Sequence, residues 1–445
     1  MKNHISVFFS DARSFLLLWL TQSFSALGSA MTAYALVIWS YEQKGSALGT
    51  SLLMVCSYAP YVILSVFAGA ISDRWNKKRI MLICDSVAAL GTVTVFVLYR
   101  TGTLVLWHLY ALNALNGFMN TVQQPASEVA VTRITPKRYY QKIGGMRYFS
   151  NAVNSILTPV IATAFLAFAG LEVVLWFDLG TFAVAFITLL LFILVPEGTE
   201  EASKPTSFFN SASQGITWLR QNRGIFNLIL FLSFINLTAS MYQAAFPAML
   251  LSRNGGSRQA LGIVNATAGI TMLAGSILAS FLRQPRSRVR VICNTLLFSM
   301  SFENFLLAFG RTVPVWCFGE FLGWIFIPLM NANLDAVLRT SIPIELQGRV
   351  YSARNTLQFF MIPVGYFLGG FLVDTVFEPV MKRQETGSML VRMFGSGKGS
   401  GAAFFFFVIA FIGIVTCLYF RRNRYIRQLA KEEDATHIQL ARFQR

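Results

Sequence analysis

Long apolar runs, each bounded by charge or by Gly and Pro, recur at about 14–40, 47–72, 80–99, 104–127, 148–169 and 173–195. After a polar stretch they resume at about 225–250, 259–282, 291–310, 313–336, 355–373 and 402–420. A helix crossing the hydrocarbon of a bilayer needs about 20 mostly apolar residues, and each run is close to that. The pattern predicts an all-α membrane protein with twelve transmembrane helices in two six-helix bundles. The expected organisation is 1–195 as the first bundle, 196–224 as a cytoplasmic linker, 225–420 as the second bundle and 421–445 as a basic tail. The first run is too long for a signal peptide and has no A-x-A-like end, so it reads as a span.

Polar residues inside the runs keep helical spacing. Gln22, Ser25, Ser29 and Thr32 step by 3, 4 and 3 residues, so they share one face of the first span. Asn113, Asn116, Asn120 and Gln123 do the same in the fourth. Asn236, Ser240 and Gln243 do so in the seventh, beside Tyr242 and Phe246. Such groups must find partners in hydrocarbon, so the stripes should face the protein interior. Two readings follow: glue between helices, or the lining of a cavity for a small molecule. The expected substrate-contacting set is Gln22, Ser29, Asn113, Asn116, Asn120, Asn236, Tyr242, Gln243 and Trp324.

Composition sharpens the class. Of 445 residues, 55% are hydrophobic and 13% charged, too little charge to cover a soluble surface of this size. The net charge of +17 would point to nucleic acid in a soluble chain. Here its placement decides otherwise. With a cytoplasmic N-terminus, 28 of the 37 Lys and Arg fall in inside segments and nine outside, and none lies mid-span. That is the positive-inside bias, which also favours contact with anionic lipid. It places both termini in the cytoplasm and the chain in the cell membrane. The five cysteines, Cys56, Cys84, Cys293, Cys317 and Cys417, lie in apolar runs without paired spacing, so neither disulfides nor a metal site is implied. The polar stretch 196–224 ends in a candidate surface helix, Phe208 to Arg223. The stretch 374–401 ends in Gly395, Gly397, Gly399 and Gly401, which reads as a flexible linker.

The halves echo each other. Arg133 and Gln141 follow the fourth span, and Arg339 and Gln347 follow the tenth, both at a spacing of 206 residues. Pro136, Arg147 and Pro159 have close counterparts in Pro343, Arg354 and Pro363. Repeated halves around a central site are a transporter architecture.

Between the second and third spans the chain reads Gly69-Ala-Ile-Ser-Asp73-Arg74-Trp-Asn-Lys77-Lys78-Arg79. This G-x-x-x-D-R with a basic cluster resembles the signature loop of the major facilitator superfamily. Gly45-Ser46-Ala47, Pro60-Tyr61, Asp85, Leu219 to Asn222 and Phe246-Pro247 resemble, more closely, its bacterial drug-efflux branch, which includes macrolide-efflux proteins. That resemblance implies export coupled to proton entry. It also implies gating by Gly69, Asp73, Arg74 and Lys78. Asp85 is expected to be structural near that gate, with Glu128/Arg133 and Asp335/Arg339 as ion pairs at the inner ends of the fourth and tenth spans. The span-five motif departs from the antiporter pattern: Pro159 is followed by Ala162 and Thr163 rather than by paired glycines. Span eleven keeps it better, with Pro363, Gly365, Gly369 and Gly370.

An ionised acid at mid-bilayer costs about 2.5–3.5 kcal/mol on insertion scales, and protonation relieves that cost. Glu320 is the first candidate to carry a proton, followed by Glu303 and Asp178. No P-loop, H-E-x-x-H or nucleophile–base arrangement is present, so neither enzyme chemistry nor a cofactor is expected. The expected protein is a monomeric secondary exporter of lipophilic small molecules, working by proton antiport with membrane lipid around it. The alternatives are a lipid or lysolipid flippase, an exporter of a natural product or siderophore, and a non-transporting receptor or immunity protein.

Overall fold

The computed structural model describes residues 13–136, 139–196, 208–282, 285–343 and 346–443. The chain is helical almost throughout and divides into two compact units. The first is Met1–Gly45 with Leu52–Ser203, and the second is Ser46–Ser51 with Lys204–Arg445. Among the described residues, eleven helices are long and apolar enough to cross a membrane. The helix Leu106–Ile134 is long enough as well, but its Asn and Gln residues hold its hydropathy below that of the others.

The first unit is built from α1 (Arg13–Lys44), most of α2 (Ala47–Arg74), α3 (Lys77–Arg100), α4 (Leu106–Ile134), α5 (Tyr140–Phe168) and α6 (Gly170–Phe192). Small residues set the closest approaches. A Cβ on Gly28 of α1 would lie 2.9 Å from the Asp178 backbone of α6, and one on Gly117 of α4 would strike the Ser57 carbonyl of α2. Without a hydrophobic drive between helices in lipid, such contacts supply the packing. Asn76 caps α3 by accepting from the Arg79 N–H at 3.1 Å.

The second unit holds α7 (Phe208–Gln221), α8 (Arg223–Ser252), α9 (Arg258–Phe281), α10 (Arg288–Phe309), α11 (Val313–Trp324) and α12 (Ile327–Ser341). It continues with α13 (Gln347–Phe359), α14 (Met361–Leu372), a π turn Val373–Phe377, and the short α15 (Glu378–Lys382) and α16 (Met389–Phe394). It ends with α17 (Ser400–Arg422) and α18 (Arg424–Phe443). The expected tenth and eleventh spans are each two helices here. Pro328 stands at the start of α12, just past the break after Trp324, and Pro363 follows the break at Phe360. Proline lacks the N–H that a continuous helix needs.

The expected surface helix is α7, and it docks rather than lying free. Leu219 is fully buried in the second unit's core, and Gly215 meets the Arg349 carbonyl of α13. The Gly-rich stretch is likewise built, not a flexible linker. Gly395, Gly397 and Gly399 have φ of 88°, 87° and 89°, a left-handed backbone that makes tight turns without a Cβ clash. The tail helix α18 is anchored through Glu433, which accepts from Val289 N at 3.0 Å and Ser287 Oγ at 3.3 Å at the start of α10. Burial pushes the Glu433 carboxyl above its ordinary pKa, while these bonds oppose the rise.

Ser46–Ser51 packs as part of the second unit because Asp374 caps it. The carboxylate accepts from Ser46 Oγ at 2.6 Å, Ala47 N at 3.0 Å and Leu48 N at 2.9 Å. Asp374→Ala is expected to cost about 0.5–2 kcal/mol, the usual worth of an N-cap. A thermal denaturation midpoint unchanged from wild type would refute this role.

Candidate functional site

Two polar centres form inside the helices, one in each unit. In the first unit, a cavity of about 540 Å³ is lined by Gln22 and Ser29 of α1, Asp85 and Thr92 of α3, Asn120 and Gln123 of α4, and Asp178 of α6, among others. The α1 and α4 stripes converge because 3–4 spacing keeps each on one helix face. Gln22 Nε2 donates to Asp85 Oδ2 at 3.2 Å and Gln123 Nε2 to Oδ1 at 2.6 Å. Ser29 Oγ donates to Asp178 Oδ1 at 3.0 Å and Thr92 Oγ1 to Oδ2 at 3.0 Å. Both carboxyls are thus held by neutral donors, and neither forms an ion pair among the described residues.

Not every member of the α4 stripe joins them. Asn113 turns back on its own helix, donating to Leu109 O at 2.8 Å, and Asn116 stands against Gly91 of α3. Asp85, expected as a structural residue near the gate, stands in the cavity wall, held there by two amide donors. The signal was present in the sequence: a carboxyl between Cys84 and Ser86 in an apolar run has no basic residue within four positions.

The second unit's centre is a buried pair of carboxyls. Glu303 of α10 is 4% exposed and Glu320 of α11 is 2% exposed. The Tyr242 hydroxyl of α8 donates to Glu320 Oε1. Tyr242 and Trp324 lie against both carboxyls. Glu303 Oε1 and the Trp324 indole Nε1 are buried without a hydrogen-bond partner. Gly323 makes the room: a Cβ there would fall on the Glu303 carboxyl. Among the described residues, no Lys, Arg or His is bonded to either acid.

The rest of the α8 stripe joins helices. Asn236 Nδ2 donates to Gln358 O at 3.0 Å, and Tyr366 donates to Gln243 Oε1 at 2.8 Å. Ser240 packs under Gly365.

The residues expected to gate divide. The side chains of Gly69, Asp73 and Arg74 lie outside the described residues. Lys78 Nζ donates to Leu190 O at 2.9 Å and Ile193 O at 2.8 Å, satisfying carbonyls at the end of α6. Arg133 Nη1 donates to Pro196 O at 3.2 Å just beyond it. Glu128 therefore meets Arg147 of α5, at 3.6 Å, rather than Arg133. Asp335 and Arg339, both exposed and four residues apart on α12, form no ion pair among the described residues. In each half the loop arginine is drawn to backbone or solvent, where an exposed pair would gain little.

The sequence model of the Major Facilitator Superfamily matches residues 18–242. The chain belongs to that superfamily. It is a transporter of this type and not an enzyme, as its relatives and structural neighbours are transporters. Macrolide efflux protein A of Streptococcus pyogenes is 22% identical over 366 residues, 81% of this chain and 90% of its own length. The multidrug efflux pump Tap of Mycolicibacterium fortuitum is 23% identical over 357 residues, 78% of this chain and 86% of its own. Among solved structures, a POT family transporter in complex with 5-aminolevulinic acid superposes with a TM-score of 0.68 at 13% identity. It covers 95% of this chain and 96% of that one. The nucleoside transporter NupG gives 0.62 at 13% identity, over 93% of this chain and 99% of its own. At such identity the solved structures establish the superfamily fold.

Proposed function

We propose that this superfamily member exports lipophilic cationic small molecules across a bacterial cytoplasmic membrane in exchange for protons. The observation that carries the reading is the Glu303/Glu320 pair, buried among apolar helices with no basic partner among the described residues. Two negative charges there would each bear the full cost of desolvation. Protonation removes that cost, and a carboxyl that must gain and lose a proton as its access changes is a coupling device. Macrolide and multidrug efflux in the relatives supports a lipophilic cargo. The Asp85/Asp178 cavity, with two acids and no Lys, Arg or His among its described lining residues, supports a positive charge on it. Alternating access would expose the acids to each side in turn.

The test is accumulation of a panel of lipophilic cations in cells expressing the protein, with and without a protonophore. Reduced accumulation that the protonophore restores supports the reading; no reduction for any compound overturns it. Asp178→Asn keeps the size and one acceptor oxygen but removes the charge. The apparent affinity for a cationic cargo is expected to fall about tenfold or more, each decade being about 1.4 kcal/mol. A neutral cargo of similar shape should lose little. Equal losses for both would refute charge recognition at Asp178.

A further inference from the structure

At the end of the second unit where α8 and α10 finish, a cavity of about 670 Å³ is lined by three arginines, Arg253, Arg311 and Arg392, with Asn254, Gly255 and Ser396. Arg253 forms its buried floor, only 6% exposed. Its guanidinium donates to the carbonyls of Leu307 at 3.0 Å, Ala308 at 2.9 Å and Phe394 at 3.1 Å. Arg311 and Arg392 are exposed at the mouth, and Arg311 Nη2 donates to the Arg392 carbonyl at 2.6 Å. All three guanidiniums thus meet backbone or solvent, and no carboxylate pairs with any of them among the described residues. Burial and the like charge of Arg311 both lower the Arg253 pKa, to about 10.

The walls are fixed rather than loose. Gly255 has φ 86° and a Cβ on it would lie 2.7 Å from the Arg311 carbonyl. The Phe394 ring is held between Phe309 at 5.7 Å and Phe404 at 5.1 Å, which sets the carbonyl that Arg253 uses. Positive charges held together without acids repel one another, and an anion removes that cost. A topology signal does not explain the cluster, because the basic-residue bias assigns this end to the outside, where arginine is scarce.

We propose that this pocket binds a phosphate group. Its position at the ends of spanning helices puts it at headgroup depth, and its volume exceeds a bare phosphate, so a phospholipid headgroup or a free phosphate could supply that group. Guanidinium is suited to phosphate oxygens.

The test follows phenylglyoxal modification of Arg311 and Arg392 by peptide mass spectrometry. Purified protein in a phosphate-free detergent is compared alone, with inorganic phosphate, and with added phosphatidylglycerol. At a ligand concentration about ten times its dissociation constant, modification should slow about elevenfold by mass action. Protection by phosphatidylglycerol alone assigns the site to a lipid headgroup, and protection by inorganic phosphate assigns it to the free ion. Protection by neither overturns the proposal. Arg392→Ala leaves the carbonyl that Arg311 uses in place, so the loop should hold while protection of Arg311 is lost. Full protection of Arg311 in Arg392→Ala would also overturn the three-arginine site.

Discussion

Glu320→Gln is expected to abolish proton-driven transport while leaving the second unit folded. Gln matches Glu in size, and the Tyr242 hydroxyl can still donate to its side-chain oxygen. It has no proton to exchange. In proteoliposomes loaded with a pH-sensitive dye, wild-type protein should move protons when cargo is added, and Glu320→Gln should not. Its cargo gradient should fall to the level seen without a pH difference, and passive exchange should persist. Wild-type proton movement from Glu320→Gln would sink the assignment. Glu303→Gln provides the internal comparison. Glu303 Oε1 has no hydrogen-bond partner, so that variant gives up less bonding, and proton movement lost there alone would move the carrier role to Glu303. The two acids share Tyr242 and Trp324 as neighbours, so partial loss in both variants would mean that they share one proton.

Gly323→Val should damage stability and transport together. The new Cβ would occupy the place of the Glu303 carboxyl, which is buried, 4% exposed. Overpacking of this kind costs about 1–3 kcal/mol, and the displaced carboxyl would lose its place beside Tyr242. A lower denaturation midpoint and loss of proton-coupled transport are expected together. Adding Glu303→Ala to Gly323→Val removes the group that is struck. The double variant should regain most of the stability, a coupling of about 1–3 kcal/mol between neighbouring sites, but not the transport. Strictly additive effects on stability would mean that Gly323 and Glu303 do not compete for space.

The membrane class and the places of the helices were legible from the sequence, because both depend on properties summed along the chain. An apolar run long enough to span must be a helix, since lipid offers its backbone no other partner. Hence the expected run 259–282 is the helix Arg258–Phe281, and 402–420 is Ser400–Arg422. The superfamily too was legible, through the loop around Asp73 and the repeated halves. The stripes at 3–4 spacing correctly placed Gln22, Ser29, Asn120 and Gln123 on single helix faces. Spacing does not say what a face meets. Only tertiary packing turned the Asn236–Gln243 stripe onto α13 and α14, the Asn113 amide onto its own backbone, and Asp85 into a cavity wall.

The same limit governs the charged residues. From sequence, Glu128 and Arg133 are five apart and look like partners; in the fold Arg147 of α5 is the cation beside Glu128, and Arg133 is taken by the carbonyl of Pro196. The approach of Glu303 to Glu320 joins two helices and depends on a missing side chain at Gly323. The turns at Gly395, Gly397 and Gly399 read as flexible in sequence and are fixed because their left-handed backbone is packed, Gly399 against Arg253. The sequence by itself determined that this chain is a membrane-spanning helical protein and where its spans run, since hydropathy and helical period are local sums. Which acids stand together, and which arginines are left without one, was decided by tertiary structure alone, because those contacts join helices whose residues lie far apart along the chain.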